Sequence, residues 1–121
     1  MGTRIRRKVS KDMKKINDLN YNAILDKSSG IVSIVYFSAI WCAPCKKLFP
    51  IFEEIAATYC NLKIQFFTCD VEESPNLSCL YSVLSIPTII LLKDKRIETI
   101  VGLKSKERLL SIIIPFVTDY I

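Results

Sequence analysis

Histidine is absent from all 121 residues. That removes the commonest general base near neutral pH and the commonest metal ligand. Glycine is nearly absent, with only Gly2, Gly30 and Gly102. The loops must therefore be short or closed by other residues. Long apolar runs are missing as well. The greasiest stretch, Ile86 to Leu92, contains Pro87 and Thr88 and falls far short of the roughly 20 residues that a membrane span needs. No apolar segment follows the basic N-terminus, so no secretory signal peptide is expected.

What remains is enough for a core. Half of the residues are apolar and 24% are charged, which excludes a disordered chain. The length suits one domain. The net charge of +5 is unevenly placed: residues 1–15 hold seven Lys or Arg against Asp12, a net +6, and the rest carries a net −1. The sequence is read as a basic arm over residues 1–13 and a domain over 14–121. The arm is taken as a solvated leader rather than a nucleic-acid or membrane contact. Its Arg-rich, acid-poor character is a weak organelle-targeting signal.

Lys14 to Asn17 suits a short first strand, and Asn20 caps a short helix over Tyr21–Lys27 that ends at Ser28-Ser29-Gly30. Ile31–Phe37 is β-branched, short and nearly all apolar, as a strand buried on both faces is. Over residues 42–59 the period changes. Leu48, Ile51, Phe52, Ile55, Ala56 and Tyr59 recur at helical spacing, and Pro50 should kink this helix. Leu62–Cys69 is a further strand. Ser74 caps a short helix that opens with Pro75. Thr88–Leu92 and Ile97–Val101 form a hairpin across Lys93–Arg96. Ser105 caps a last helix that should stop near Ile114, before Pro115. The expectation is an α/β fold: a central mixed β-sheet of four to five strands with helices on both faces.

The informative segment is Trp41-Cys42-Ala43-Pro44-Cys45-Lys46, which follows a buried strand and opens the amphipathic helix. A thiol at a helix start meets free N–H groups and the positive end of the dipole, so Cys42 should ionise more readily than a free thiol. Cys45 lies one turn further in, against the core. The arrangement gives an exposed attacker and a sheltered resolver for disulfide exchange. Three plainer roles compete. Zinc would need two more ligands, and Cys60, Cys69 and Cys79 form no second close pair. A static disulfide over four residues closes too small a loop to stabilise much. Inert buried thiols fit poorly beside Trp41 and Pro44.

Trp41 to Lys46 on a strand-to-helix turn, Pro50, Ser85-Ile86-Pro87-Thr88 before a core strand and Gly102 after the hairpin together resemble the thioredoxin family. The likeness runs from about Lys14 to Ile114. It implies the thioredoxin fold, with Cys42 as nucleophile, Cys45 as resolving cysteine and Pro87 as a cis proline. It also implies a flat substrate groove formed by Trp41, Ala43, Pro44, Ile86, Pro87, Val101 and Gly102, where the backbone at Ile86 pairs with an extended substrate. Ordinary core packing is the plainer role for Ile86 and Val101, and a turn for Gly102. The sequence departs from the family at Tyr36, where a buried acid is usual, and at Thr68, where its lysine partner often stands. A phenol is a poor proton acceptor, so a slower resolving step is expected. Ala43 replaces the more usual glycine.

The resemblance implies a thiol–disulfide oxidoreductase that reduces protein disulfides through Cys42 and Cys45. Its substrates would be disulfide-containing proteins, and its electron donor a separate thioredoxin reductase-type protein, since no flavin or nucleotide fingerprint is present. No metal and no cofactor beyond the cysteine pair are expected, and the chain is read as a monomer. Two alternatives stay open here: a disulfide oxidase or isomerase, and a binding module of a larger assembly. Cys60, Cys69 and Cys79 are read as structural. An odd cysteine count suits a reducing, cytoplasmic setting.

Overall fold

Strands of near-continuous apolar character need cover on both faces, and the helices supply it. The computed structural model describes residues 12–26 and 30–118. In chain order the elements are β1 (Met13–Lys15), α1 (Tyr21–Asp26), β2 (Val32–Ser38), α2 (Ala43–Tyr59), β3 (Ile64–Asp70), α3 (Pro75–Leu80), β4 (Thr88–Lys93), β5 (Arg96–Val101) and α4 (Lys106–Thr118). They form one five-stranded sheet in the order β1-β3-β2-β4-β5. The pairs β1–β3 and β3–β2 are parallel, and β2–β4 and β4–β5 antiparallel.

Alternation along β2 divides the core. Ile34 and Tyr36 pack with Leu48, Phe52 and Ile55 of α2 and with Leu109, Ile113 and Phe116 of α4. Val35 and Phe37 point the other way, to Leu77 of α3 and the partly buried Ile24 and Leu25 of α1. Since β2 is central, six of its seven residues are buried. A strand in that position has no solvent face to spare.

Several ends differ from the expected ones. β1 begins at Met13, a buried core residue, and closes at Lys15. Residues 1–11 of the expected arm over 1–13, the expected end of α1 at Lys27 to Ser29, and residues 119–121 lie outside the described residues. The Asn20 side chain accepts the Asn17 N–H rather than capping α1, while Asn17 Oδ1 takes the N–H groups of Leu19 and Asn20. α2 runs unbroken from Ala43 to Tyr59 with Pro50 inside it.

α4 continues through Pro115 to Thr118 instead of stopping at Ile114. Proline removes one helical hydrogen bond and crowds the preceding turn, at a cost of about 3 kcal/mol. Ile113 and Phe116 flank it, and both are buried. Of the two, only Phe116 lies beyond the proline, and burying one such side chain is worth about 1.5–3 kcal/mol, which offsets most of that cost. The Arg96 guanidinium also lies 4.3 Å from the centre of the Phe116 ring.

Ser74 stands at the N-cap of α3, followed by Pro75, but its side chain makes no capping bond. Asp18 does that work from the β1–α1 loop, its carboxylate accepting the N–H groups of Asn76 at 3.1 Å and Leu77 at 2.8 Å. Ser105 caps α4 as expected, accepting the Arg108 N–H at 3.1 Å.

The three cysteines outside the Trp41–Lys46 segment differ in setting. Cys69 is buried in the second core cluster, and burial pushes its thiol up to about 11. Cys60 is half-buried at the end of α2. Burial raises its thiol, and its hydrogen bond and charge contact with Asp12 add to the shift. Cys79 is exposed on α3.

Two tests follow from this packing. Asp18→Ala should lower stability by about 1 kcal/mol, the usual worth of a cap, and Ser74→Ala by much less. Equal losses in urea unfolding would contradict the cap assignment. Iodoacetamide applied to the folded, oxidised protein near neutral pH should modify Cys79 first, Cys60 slowly and Cys69 only after unfolding. Peptide mass spectrometry showing equal rates would contradict these environments.

Candidate active site

The parallel pairing of β2 with β3 brings the C-terminal ends of both strands to one edge of the sheet. The turn after β2 carries Trp41 and Cys42, and α2 starts at Ala43. Cys42 is the N-cap of α2, with extended backbone. Its N–H donates to the Ala39 carbonyl at 3.1 Å, and its carbonyl accepts the Lys46 N–H at 3.2 Å. The Cys45 N–H donates to Cys42 Sγ at 3.2 Å. Pro44, in the first turn, lacks an N–H that would have had no helical partner there. Cys42 and Cys45 are joined as a disulfide with their α-carbons 5.2 Å apart, within the ordinary range.

Cys42, expected to be the exposed member, is 5% exposed against 3% for Cys45. The reason is the neighbour that closes over it. The Ile86–Pro87 peptide bond is cis, and the Ile86 carbonyl oxygen lies 3.9 Å from Cys42 Sγ. Pro87 is buried and Ile86 half-buried. Val101 stands opposite Thr88 in the β4–β5 register, and the Gly102 N–H donates to the Pro87 carbonyl at 2.8 Å. Gly102 has a φ of +92°, a conformation that accounts for glycine at this turn. Thus Cys42, Cys45, Ile86, Pro87, Val101 and Gly102 meet at one edge of the fold.

Trp41, Ala43 and Pro44 are exposed around them. Val101 is 51% exposed and Trp41 63%, so neither serves as core. Ile40 and Leu103 are also exposed apolar side chains that sequence reasoning left out. So was Glu72, whose carboxylate accepts the Trp41 indole N–H at 2.8 Å. The only signal for Glu72 was its place just past a strand parallel to β2, a relation that requires the sheet order.

Beneath the pair, Tyr36 is buried and stacks on Phe52, with ring centres 5.0 Å apart and planes inclined by 21°. Its hydroxyl donates to the Cys45 carbonyl. Burial pushes the phenol well above its ordinary range. Thr68 is the direct register partner of Tyr36 across β2–β3 and is half-buried. Among the described residues no group of three His, Cys, Asp or Glu side chains is placed to hold a metal ion, and no helix is long and apolar enough to cross a membrane.

A dithiol at a helix start that closes to a disulfide can carry two electrons and hand them on by thiol–disulfide exchange, without a bound cofactor. Comparison with known proteins agrees with this chemistry. The thioredoxin family model matches residues 12–114. Curated thioredoxins from Staphylococcus aureus strains MW2, N315 and COL are each 36% identical over 100 residues, covering 82% of this chain and 92% of the relative. With its strand order, its cis proline and its bonded cysteine pair all in place, the chain belongs to the thioredoxin family and is a thiol–disulfide oxidoreductase that reduces protein disulfides through Cys42 and Cys45.

Proposed function

We propose that Cys42 is the attacking sulfur and Cys45 the resolving one. In the dithiol state the Cys42 thiolate attacks one sulfur of a substrate disulfide. That S–S bond breaks, and the other substrate sulfur leaves as a thiolate that takes a proton from solvent. Cys45 then gives up its proton and attacks Cys42 Sγ in the mixed disulfide. The second substrate sulfur leaves, and the Cys42–Cys45 bond forms. Two electrons have passed to the substrate. The observation that carries this assignment is the Cys45 N–H on Cys42 Sγ at the N-cap of α2, because a negative sulfur is best held where unpaired amides converge.

Trp41, Ala43, Pro44, Ile86, Pro87, Val101 and Gly102 form the surface on which the substrate segment lies, with the Ile86 backbone as its hydrogen-bonding edge. Support comes from the Ile86 carbonyl beside Cys42 Sγ and from the exposed apolar area of Trp41 and Val101. Tyr36 and Thr68 form the environment of the resolving step, because the phenol spends its O–H on the Cys45 carbonyl.

Members of the family act on disulfide-containing proteins and are recharged by a reductase. For this chain the donor is a separate thioredoxin reductase-type protein. A reducing, cytoplasmic setting suits the three thiols left free beside the pair, and the chain is taken to act as a monomer.

With dithiothreitol as reductant, the protein should accelerate insulin reduction, and Cys42→Ser should abolish the acceleration. Cys45→Ser should accumulate the mixed disulfide on Cys42, seen as a covalent adduct by mass spectrometry. Activity that persists in Cys42→Ser would contradict the assignment of the attacking sulfur.

A further inference from the structure

Cys45 must shed a proton before it can attack, yet it is 3% exposed. Tyr36 beneath it cannot receive that proton, since its phenol is already protonated and hydrogen-bonded to the Cys45 carbonyl. The structure offers another outlet. Beside Cys45 lies an open pocket of about 280 Å³, lined by Tyr36, Ser38, Cys45, Lys46, Phe49 and Asp70 among others. A volume of this size has room for several waters, each with a share of about 30 Å³ in the liquid. Asp70 supplies the one carboxylate among the lining residues.

Its position follows from the strand pattern. Asp70 ends β3 directly opposite Ser38 of β2, and strand alternation puts it on the same sheet face as Thr68 and Tyr36, the face that α2 covers. One carboxylate oxygen accepts the Glu72 N–H at 2.8 Å, which orients the side chain that lines the pocket. The other groups facing it that carry charge or titrate are Tyr36 from β2 and Cys45 and Lys46 from α2. The ammonium of Lys46 is a donor and cannot take a proton.

We propose that Asp70 receives, through water in this pocket, the proton that Cys45 loses as it attacks the mixed disulfide. The Cys45 S–H gives its proton to water and the water passes one to Asp70. The Cys45 sulfur bonds to Cys42 Sγ, the bond from Cys42 to the substrate breaks, the substrate sulfur leaves as a thiolate that takes a proton from solvent, and Asp70 later releases its own proton to solvent. The proposal rests on the assignment of Cys45 as the resolving sulfur. Asp70 acts through water and does not touch the reacting sulfurs.

The test separates the two steps. A fluorescent peptide disulfide is mixed with the reduced protein in a stopped-flow instrument, and peptide release is followed from neutral to alkaline pH. Asp70→Asn keeps an acceptor for the Glu72 N–H and removes the base. Asp70→Ser does the same with a different side chain. In both, release from the mixed disulfide should slow about a hundredfold near neutral pH, the low end of general-base effects. The gap should close well above pH about 8.5, where solvent alone ionises a thiol. Formation of the mixed disulfide, read in a Cys45→Ser background, should keep its rate. An unchanged resolving step in either variant, or a deficit equal at every pH, would overturn the proposal. Failure of the site assignment looks different: the wild type would form no mixed disulfide at Cys42.

Discussion

One contact sets the terms for the rest of the molecule: a backbone N–H in the first turn of α2 pointing at the sulfur of Cys42. It exists only if the residue before α2 is held still while the helix starts on schedule. β2 supplies the first condition, because it is central in the sheet and buried on both faces. The buried face of α2, with Leu48, Phe52 and Ile55, supplies the second by seating the helix on that same strand. The core thus spends its rigidity on one sulfur. Burial works against the charge that this sulfur must carry, since removing a thiolate from water raises its pKa. The amides and the dipole at a helix start pull the other way, and in known cases they lower reactive thiols to about 3.5–7.5. The account requires the second effect to win.

The floor of the site is unusual in its chemistry. Tyr36 stacks on Phe52, and Phe52 meets the edge of Phe66 at 5.6 Å. Aromatic pairs of this kind add about 0.5–1.5 kcal/mol beyond area burial. The Tyr36 hydroxyl still finds a partner in the Cys45 carbonyl, so no polar group is stranded. The site is therefore well supported mechanically, but the described side chain under Cys45 is a phenol that donates its O–H and not a base. The carboxylate on that side is Asp70, which lines the open pocket beside Cys45. A floor chosen for packing moves the acid–base work to the rim.

Much of this was legible in the sequence, and the reasons differ by residue. The run from Ile31 to Phe37 announced a two-sided strand because almost every side chain in it is apolar. The spacing of Leu48, Phe52, Ile55 and Ala56 announced α2 because period alone distinguishes helix from strand. Cys42 and Cys45 stood out because their spacing and their position at a helix start carry chemistry together. Pro87 and Gly102 were read only through resemblance. Contacts that join distant parts of the chain were not legible. Asp18 caps α3 from 58 residues away, and nothing near Ser74 signals it. Glu72 and Asp70 reach the site only through the β2–β3 register. Pro115 misled because a local rule about helix ends gave way to the burial of Phe116 just beyond it.

The most direct test is the ionisation of Cys42 itself. The rate at which iodoacetamide modifies Cys42 in the fully reduced protein, followed by peptide mass spectrometry across pH, reports its thiolate fraction. The account predicts a midpoint clearly below the value of about 8.5 for a free thiol. A midpoint at or above that value would mean that burial outweighs the helix terminus, and would contradict the claim that this turn is built to hold a reactive sulfur.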